Sequence, residues 1–157
     1  GTIESTTGGI KFPDGTTQIS TAASKFFTVY ADAAQNIAYN TMTLVNMNTE
    51  TADASNVFDS VNKRAVIPNG ETWRLEATVN IALADTIYGI VQIRKNGVGW
   101  RVWGASESGV YEPSLSVSGI AVGNGTDYYD VYIYHLKDPS ANTTAGLLYT
   151  RFEGYKI

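Results

Sequence analysis

The sequence of 157 residues contains no cysteine and only one histidine. Without cysteine there can be no disulfides, Cys-ligated zinc, iron–sulfur clusters or thiol catalysis. A single histidine, His135, removes most of the catalytic arrangements that need an imidazole. No apolar run approaches the roughly 18 to 20 residues of a membrane-spanning helix. These absences exclude several large classes of enzyme and of membrane protein.

Charge is also scarce, because Asp, Glu, Lys and Arg make up 17% of the chain. Fifteen acidic and 11 basic residues give a net charge of −4 and a pI near 4.9. Such a chain has no overall attraction to phosphate backbones or to anionic lipid. A nucleic-acid partner is therefore not expected.

Residue types that suit a pleated, half-buried surface are abundant. Val, Ile, Thr, Tyr, Phe and Trp together supply 61 residues, against seven Leu and two Met. The length corresponds to one domain, with or without a short appendage. The composition therefore predicts an all-β domain with little helix.

Alternation and turn signals divide the chain into short strands. The most secure strand is 73–83, where apolar residues occupy every second position from Trp73. The other predicted strands are 26–31, 41–45, 56–58, 90–93, 98–103, 115–122, 128–136 and 147–155. Turns are predicted at Pro68-Asn69-Gly70 and Asn96-Gly97, the second closing a hairpin. Short strands at this spacing indicate an antiparallel sandwich or jelly roll.

Residues 1–25 differ from the rest, because Gly, Thr and Ser supply 13 of the 25. The segment 12–16 has the turn chemistry of a reversal between two short extended pieces. We expect an N-terminal stem over 1–25, ordered by winding with two copies of itself, and a head domain over 26–157. A disordered linker is the alternative reading of the first segment.

The strand at 128–136 is apolar on both faces. One face carries Tyr128, Asp130, Tyr132, Tyr134 and Leu136, and the other carries Tyr129, Val131, Ile133 and His135. Since a small sandwich covers only one face of each sheet, the second face is predicted to meet another subunit. The pattern therefore predicts an oligomer.

Five motifs in order resemble the head domain of the C1q and tumour-necrosis-factor superfamily. They lie at 56–61, at 65–73 (AVIPNGETW), at 91–97 (VQIRKNG), at 122–128 (VGNGTDY) and at 149–157 (YTRFEGYKI). The resemblance covers 26–157 and implies a homotrimeric antiparallel jelly roll.

A second resemblance covers residues 8–18 (GGIKFPDGTTQ), which are similar to a segment recurrent in tailed-bacteriophage fibre and virion proteins. Together the two resemblances imply a shaft-to-tip fragment of a phage fibre or tail needle. In such a trimer Ile10 and Phe12 would share the threefold axis, and the strand 128–136 would contribute to the subunit contact. The interface candidates are therefore Tyr128, Tyr132, Tyr134, Leu136, Phe12 and Ile10.

Catalysis is the less favoured class. His135 lies in an apolar strand, which indicates a core or interface residue, and no Gly-x-Ser-x-Gly elbow accompanies it. Two carboxylates would suffice for a glycan depolymerase, and Asp127 with Asp130, or Glu107 with Glu112, are the available pairs. Acids that cap turns and aid solubility are the simpler interpretation.

Oxygen-rich residues also cluster at Asp53, Asn56 and Asp59, but their spacing does not match the twelve-residue EF-hand loop. Neither a metal nor another cofactor is predicted.

Aromatic residues and an arginine gather around the glycine-rich stretch 97–109. Trp100, Arg101, Trp103 and Tyr111 are the residue types that grip sugars or peptides by stacking and directional hydrogen bonds. They are the receptor-binding candidates. The alternative is that they pack within a sheet or between subunits.

These observations predict a receptor-binding tip of a phage tail fibre or needle, on the extracellular face of the virion. Three weak contacts would reinforce one another. The expected partners are two further copies of the chain, a host cell-surface glycan or outer-membrane protein, and other virion tail proteins. A purely structural cap or plug, and more remotely a glycan depolymerase, are the alternatives.

Overall fold

The computed structural model describes residues 4–6, 9–13, 17–18, 24–82, 87–107, 114–137 and 139–157. These residues form strands, turns and bends, and they include no helix that could cross a membrane. In chain order the strands are β1 (Glu4–Thr6), β2 (Gly9–Lys11), β3 (Thr17–Gln18), β4 (Phe26–Tyr30), β5 (Asn36–Ala38), β6 (Thr43–Leu44), β7 (Thr49–Asp53), β8 (Phe58–Asp59), β9 (Arg64–Val66), β10 (Thr72–Asn80), β11 (Ile87–Lys95), β12 (Val98–Glu107), β13 (Ser114–Val122), β14 (Tyr128–His135), β15 (Ser140–Asn142) and β16 (Arg151–Lys156).

Two antiparallel sheets make up the sandwich. One has the order β13-β10-β16-β4-β7, and the other has the order β12-β11-β14-β9-β8 with β6 paired to β14. A small β15-β5 ladder joins residues that are distant in sequence. The predicted all-β antiparallel architecture is confirmed.

Strand β10 lies inside its sheet, hydrogen-bonded to β13 on one side and to β16 on the other. Its alternate residues Trp73, Leu75, Ala77 and Val79 are fully buried, as the period of two predicted. The strand ends at Asn80, earlier than predicted, and Ile81 makes only a single bridge to Thr143.

The core between the sheets is centred on Phe27. Its ring lies 5.1 Å from that of Phe152 in an edge-to-face contact, and 6.1 Å from those of Phe58 and Trp73. Gly154 makes this packing possible, because a Cβ there would lie 2.5 Å from Phe27 Cε1. The C-terminal Phe-x-Gly of the sequence motif therefore has a packing role.

The turns follow the predicted chemistry. Asn96 and Gly97 both have positive φ, 53° and 77°, as a two-residue hairpin turn between β11 and β12 requires. At the same end of the sandwich, a Cβ on Gly123 would lie 2.1 Å from the carbonyl oxygen of Pro68. Only glycine allows these two turns to approach so closely.

Two regions differ from the sequence predictions. Strands β5, β7, β9 and β15 were not predicted. All four are short, and β5 and β15 also pair with each other from distant parts of the sequence. The predicted strand 147–155 begins only at Arg151, since residues 146–150 form a turn.

In the N-terminal segment β2 and β3 pair antiparallel on either side of 12–16, which confirms the predicted reversal. The division at residue 25 stays a prediction.

Candidate functional site

A β-bulge positions the first two receptor-binding candidates. Ile93 pairs with Arg101 but Arg94 pairs with Gly99, so Trp100 is an extra residue in β12. Its half-buried ring packs edge-to-face on Tyr129 at a centroid distance of 5.1 Å. Trp100 therefore packs against the core, which agrees with the alternative prediction that the aromatic residues of this stretch pack within a sheet.

Arg101 is exposed and lies over the same indole. Its guanidinium carbon is 4.4 Å from the Trp100 ring centroid, and its Nη1 donates to the Trp100 carbonyl at 3.2 Å. Both side chains cover Gly119 of β13, where a Cβ would approach Trp100 Cη2 to 2.8 Å and Arg101 Nε to 2.7 Å. Trp100, Arg101 and Gly119 therefore form one surface at the seam between the two sheets, which we call the seam surface.

The other candidates of this region are only partly covered by the structure. Trp103 lies in β12 opposite Val91, but its side chain is outside the described residues. Tyr111 and Glu112 are also outside them, as is the side chain of Glu107. Their predicted roles stay predictions.

The outer face of β14 carries the tyrosines that the sequence assigned to a subunit contact. Tyr128, Tyr132 and Tyr134 are half-buried, while Tyr129 on the opposite face is buried in the core. The Arg64 guanidinium lies 4.7 Å above the Tyr128 ring, and that of Arg94 lies 4.1 Å above the Tyr132 ring. Neighbouring strands of the same chain thus cover much of this face.

The two remaining interface candidates of this strand face solvent or a polar partner. The Tyr134 hydroxyl donates to Asn40 Oδ1 at 2.6 Å and its ring meets Tyr88 edge-to-face. Leu136 just beyond the strand is exposed. Phe12 is exposed as well, and Ile10 lies in β2 with its side chain outside the described residues. The assignment of all six residues to a trimer interface stays a prediction.

Asp130 is the buried charge on this face. Asp130 is 7% exposed, and Arg64 and Arg94 stand opposite it in the register of the strands on either side. Burial raises the pKa of Asp130, and the positive charges of Arg94 and Arg64 only partly oppose the shift. Its Oδ1 has no hydrogen-bond partner among the described residues.

The neighbouring acid, Asp127, forms an ion pair and a hydrogen bond within the fold. Lys95 Nζ lies 2.7 Å from Asp127 Oδ2 and Asn96 Nδ2 donates to Oδ1 at 2.7 Å, which together hold the pKa of Asp127 below its usual range. The arrangement ties the β11–β12 hairpin to β14.

The single imidazole is fully buried and both of its nitrogens are used. His135 Nδ1 accepts from the Lys137 amide at 3.0 Å, so Nε2 carries the proton and donates to the Ile37 carbonyl at 2.8 Å. The side chain ties β14 to β5. This is the core role that the sequence favoured for it.

The oxygen-rich residues of the 53–59 region cap turns. The carboxylate of Asp53 accepts from the amides of Val57 and Phe58 at 2.9 and 2.7 Å. Asp59 accepts from Asn62 in the same way, through backbone and side chain. Across the described part of the chain no group of three or more His, Asp or Glu side chains is placed to hold a metal ion.

Sequence reasoning missed one surface, the outer face of the β10 sheet. At the end of the sandwich where β4 begins, it exposes five large apolar side chains on or next to β4, β16 and β13: Phe26, Tyr155, Ile157, Ile120 and Val122, each between 45% and 64% exposed. Arg74 of β10 lies between Ile120 and Tyr155 in the sheet. We call this the Ile120 face. Ile120 and Val122 alternate with buried Leu115, Val117 and Ala121, so the period of two contained the signal.

Comparison with known proteins identifies the fold. No protein-family model and no curated protein sequence matches the chain. Among solved structures it is similar to murine APRIL at pH 5.0, with a TM-score of 0.65 and 12% identity over 86% of this chain and 100% of APRIL. It is also similar to the globular domain of zebrafish complement 1qA, with a TM-score of 0.55 and 16% identity over 86% and 98% of the two chains. Eiger TNF from S. frugiperda matches with a TM-score of 0.56 and 4% identity over 85% and 92%. The chain has a C1q/TNF-like jelly-roll fold, as the sequence motifs predicted.

Proposed function

We propose that the chain is the receptor-binding head of a bacteriophage tail fibre or needle, exposed at the tip of the virion and acting as a homotrimer. The observation that carries the proposal is the C1q/TNF-like jelly roll directly after a Gly/Thr-rich segment that resembles phage fibre sequences. A small β head at the end of a fibre positions three identical surfaces for multivalent attachment. Its partners would be a host surface glycan or outer-membrane protein and other virion tail proteins.

Trimerisation is supported by unpartnered apolar surface. The Ile120 face groups five exposed apolar side chains at one end of a sheet, and grouped apolar residues of this kind mark contact surfaces more often than single ones do. The tyrosine face of β14 is the second candidate, but its rings are already covered by Arg64 and Arg94. We therefore place the subunit contact on the Ile120 face and treat the tyrosine face as available to a receptor.

The seam surface supports an attachment site. Arg101 is exposed, held flat against Trp100, and pre-oriented to donate hydrogen bonds to a polar ligand. Trp103 and Tyr111 follow it in the sequence toward the far end of β12 and the residues beyond. No catalytic role is proposed, since the one imidazole is buried in hydrogen bonds to the backbone.

The test is binding of the labelled chain to a panel of bacterial cells. Arg101→Ala and the double variant Trp103→Ala/Tyr111→Ala should each lower binding at least about tenfold without changing the oligomer mass. Trp100 is unsuitable for this purpose, because its loss would disturb the packing on Tyr129. Val61→Ser, at an exposed apolar residue on the turn after β8, is the matched control.

Three results would contradict the proposal. A folded species of about 17.0 kDa in light scattering would remove the trimer. Binding to no cell in the panel, with the fold intact, would favour a purely structural cap. Release of reducing sugar from a host polysaccharide would instead establish a depolymerase.

A further inference from the structure

The turn between β15 and β16 exposes three consecutive apolar residues. Leu147, Leu148 and Tyr149 are 38%, 78% and 44% exposed. The sequence placed them in a strand, but the strand begins two residues later at Arg151. We call residues 147–149 the apolar turn.

Hydrogen bonds fix the backbone of this turn. The amides of Tyr149 and Thr150 both donate to the Gly146 carbonyl at 3.0 Å, and the Gly146 amide donates to the Ala31 carbonyl at 2.7 Å. The Asn80 amide donates to the Tyr149 carbonyl at 3.2 Å. The apolar turn is therefore anchored to the ends of β4 and β10, and its exposure does not depend on ordering a flexible loop when it binds.

The turn lies at the end of the sandwich opposite to Phe26, the first residue of β4. Phe26 pairs with Tyr155, whereas Ala31 at the other end of β4 contacts Gly146. Five residues of strand separate the two ends by roughly 15 Å. If residues 1–25 connect to a shaft, the apolar turn faces away from it.

The chemistry of the turn limits its partner. Residues 139–150 contain no Asp, Glu, Lys or Arg, so the turn offers no ion pair to a protein. Its three exposed side chains are far fewer than the roughly 20–30 residues that each partner contributes to a stable protein interface. Two exposed leucines beside an amphipathic ring are instead the side-chain types suited to the boundary between lipid headgroups and acyl chains.

We propose that the apolar turn inserts into a lipid surface, with Leu148 deepest and the Tyr149 ring at headgroup level. Because the chain has a net charge of −4, the surface it fits is a zwitterionic one. The proposal rests on the proposed function in one respect: the proposed homotrimer would present three copies of the apolar turn, and three together would bind more tightly than one.

The experiment is flotation of the full chain with vesicles of pure phosphatidylcholine. The chain should float with the vesicles, and Leu147→Ser/Leu148→Ser should lower the bound fraction about tenfold or more. Val61→Ser removes a side chain that is 85% exposed elsewhere and should bind as the unaltered chain does. Equal melting temperatures would establish that all three proteins are folded.

Other results would overturn the proposal. They are failure of the unaltered chain to float, equal flotation of the double variant, or flotation only when an anionic lipid is added. Loss of cell binding by the double variant without any vesicle binding would identify a protein pocket as the partner instead. Light scattering of the same samples separates this test from the proposed function, because a monomer that still floats retains the lipid contact and loses only the trimer.

Discussion

The indole Nε1 of Trp73 donates a hydrogen bond to Glu71 Oε2 at 2.9 Å, across two residues at the start of β10. The other carboxylate oxygen of Glu71 receives Lys25 and Lys156, the latter at 3.1 Å. One acid thus joins the residue before β4, the start of β10 and the end of β16. These contacts lower the pKa of Glu71 to about 2, the Lys25 hydrogen bond contributing most.

Replacing Glu71 should lower stability and alter its pH dependence. Because the pKa of Glu71 is lower in the folded chain than its value of 4.5 in the unfolded chain, the carboxylate stabilises the fold at pH values above 4.5. This contribution is lost as the pH falls toward about 2. Glu71→Gln should therefore unfold about 1–2 kcal/mol more easily at pH 7 and resemble the unaltered chain near pH 2. Urea titrations at both pH values measure this. Glu76→Gln is the control, because Glu76 lies in β10 just beyond Glu71 and its carboxylate is 3.7 Å from Arg74.

Replacing Asp130 should have the opposite effect on stability at pH 7, raising the free energy of unfolding instead of lowering it. Because burial raises its pKa, the folded state favours the protonated acid, and stability declines as the pH rises from its ordinary value of 3.8 through the folded value. Asp130→Asn removes that penalty and should raise the free energy of unfolding at pH 7. The difference should shrink near pH 3. Destabilisation at pH 7 would mean that attraction to Arg64 and Arg94 outweighs burial.

Adding one methyl group at Gly154 should disturb the core. Gly154→Ala places a Cβ 2.5 Å from Phe27 Cε1 and 2.8 Å from Leu75 Cδ2, both in fully buried side chains. We expect a loss of about 1–3 kcal/mol in the free energy of unfolding. Gly99→Ala is the matched control, since the atoms it meets belong to the flexible end of Gln92. Equal stability of the two variants would contradict this account of the Phe-x-Gly motif.

The two candidate trimer faces make separable predictions. Ile120→Asp places a charge on the Ile120 face and should convert a species of three times the 17.0 kDa chain mass into single chains. Tyr132→Ser on the tyrosine face should leave the mass unchanged. Light scattering over a concentration series measures both. Dissociation by Tyr132→Ser alone would instead support the interface predicted from the sequence.

Most of the fold could be predicted because its signals are local. The alternation in β10, the Asn96-Gly97 turn and the apolar side of β14 depend on residues within a few positions of one another. Strands β5 and β15 could not be predicted in this way. They are three residues each and pair across about a hundred positions of sequence.

The candidate site was less predictable, since a single bulge decides it. Simple alternation through β12 does not identify Trp100 as an extra residue, and only the pairing of Arg94 with Gly99 shows that its ring turns toward Tyr129. The two-sided apolar pattern of β14 also did not predict which side chains cover its outer face. Arg64 and Arg94 reach its tyrosines from other strands, and no feature of 128–136 contains that information.

The side-by-side pairing of β4 and β16 has a mechanical consequence. Both ends of the head lie at one end of the sandwich, and a pull on the residues before Lys25 runs along β4, parallel to its ladder with β16. All the hydrogen bonds of that ladder would then be loaded together in shear. The Lys25–Glu71 ion pair lies before β4 and would bear the load first. Such a load would act on the whole β4–β16 ladder at once, whereas a load perpendicular to the strands would break its hydrogen bonds one after another.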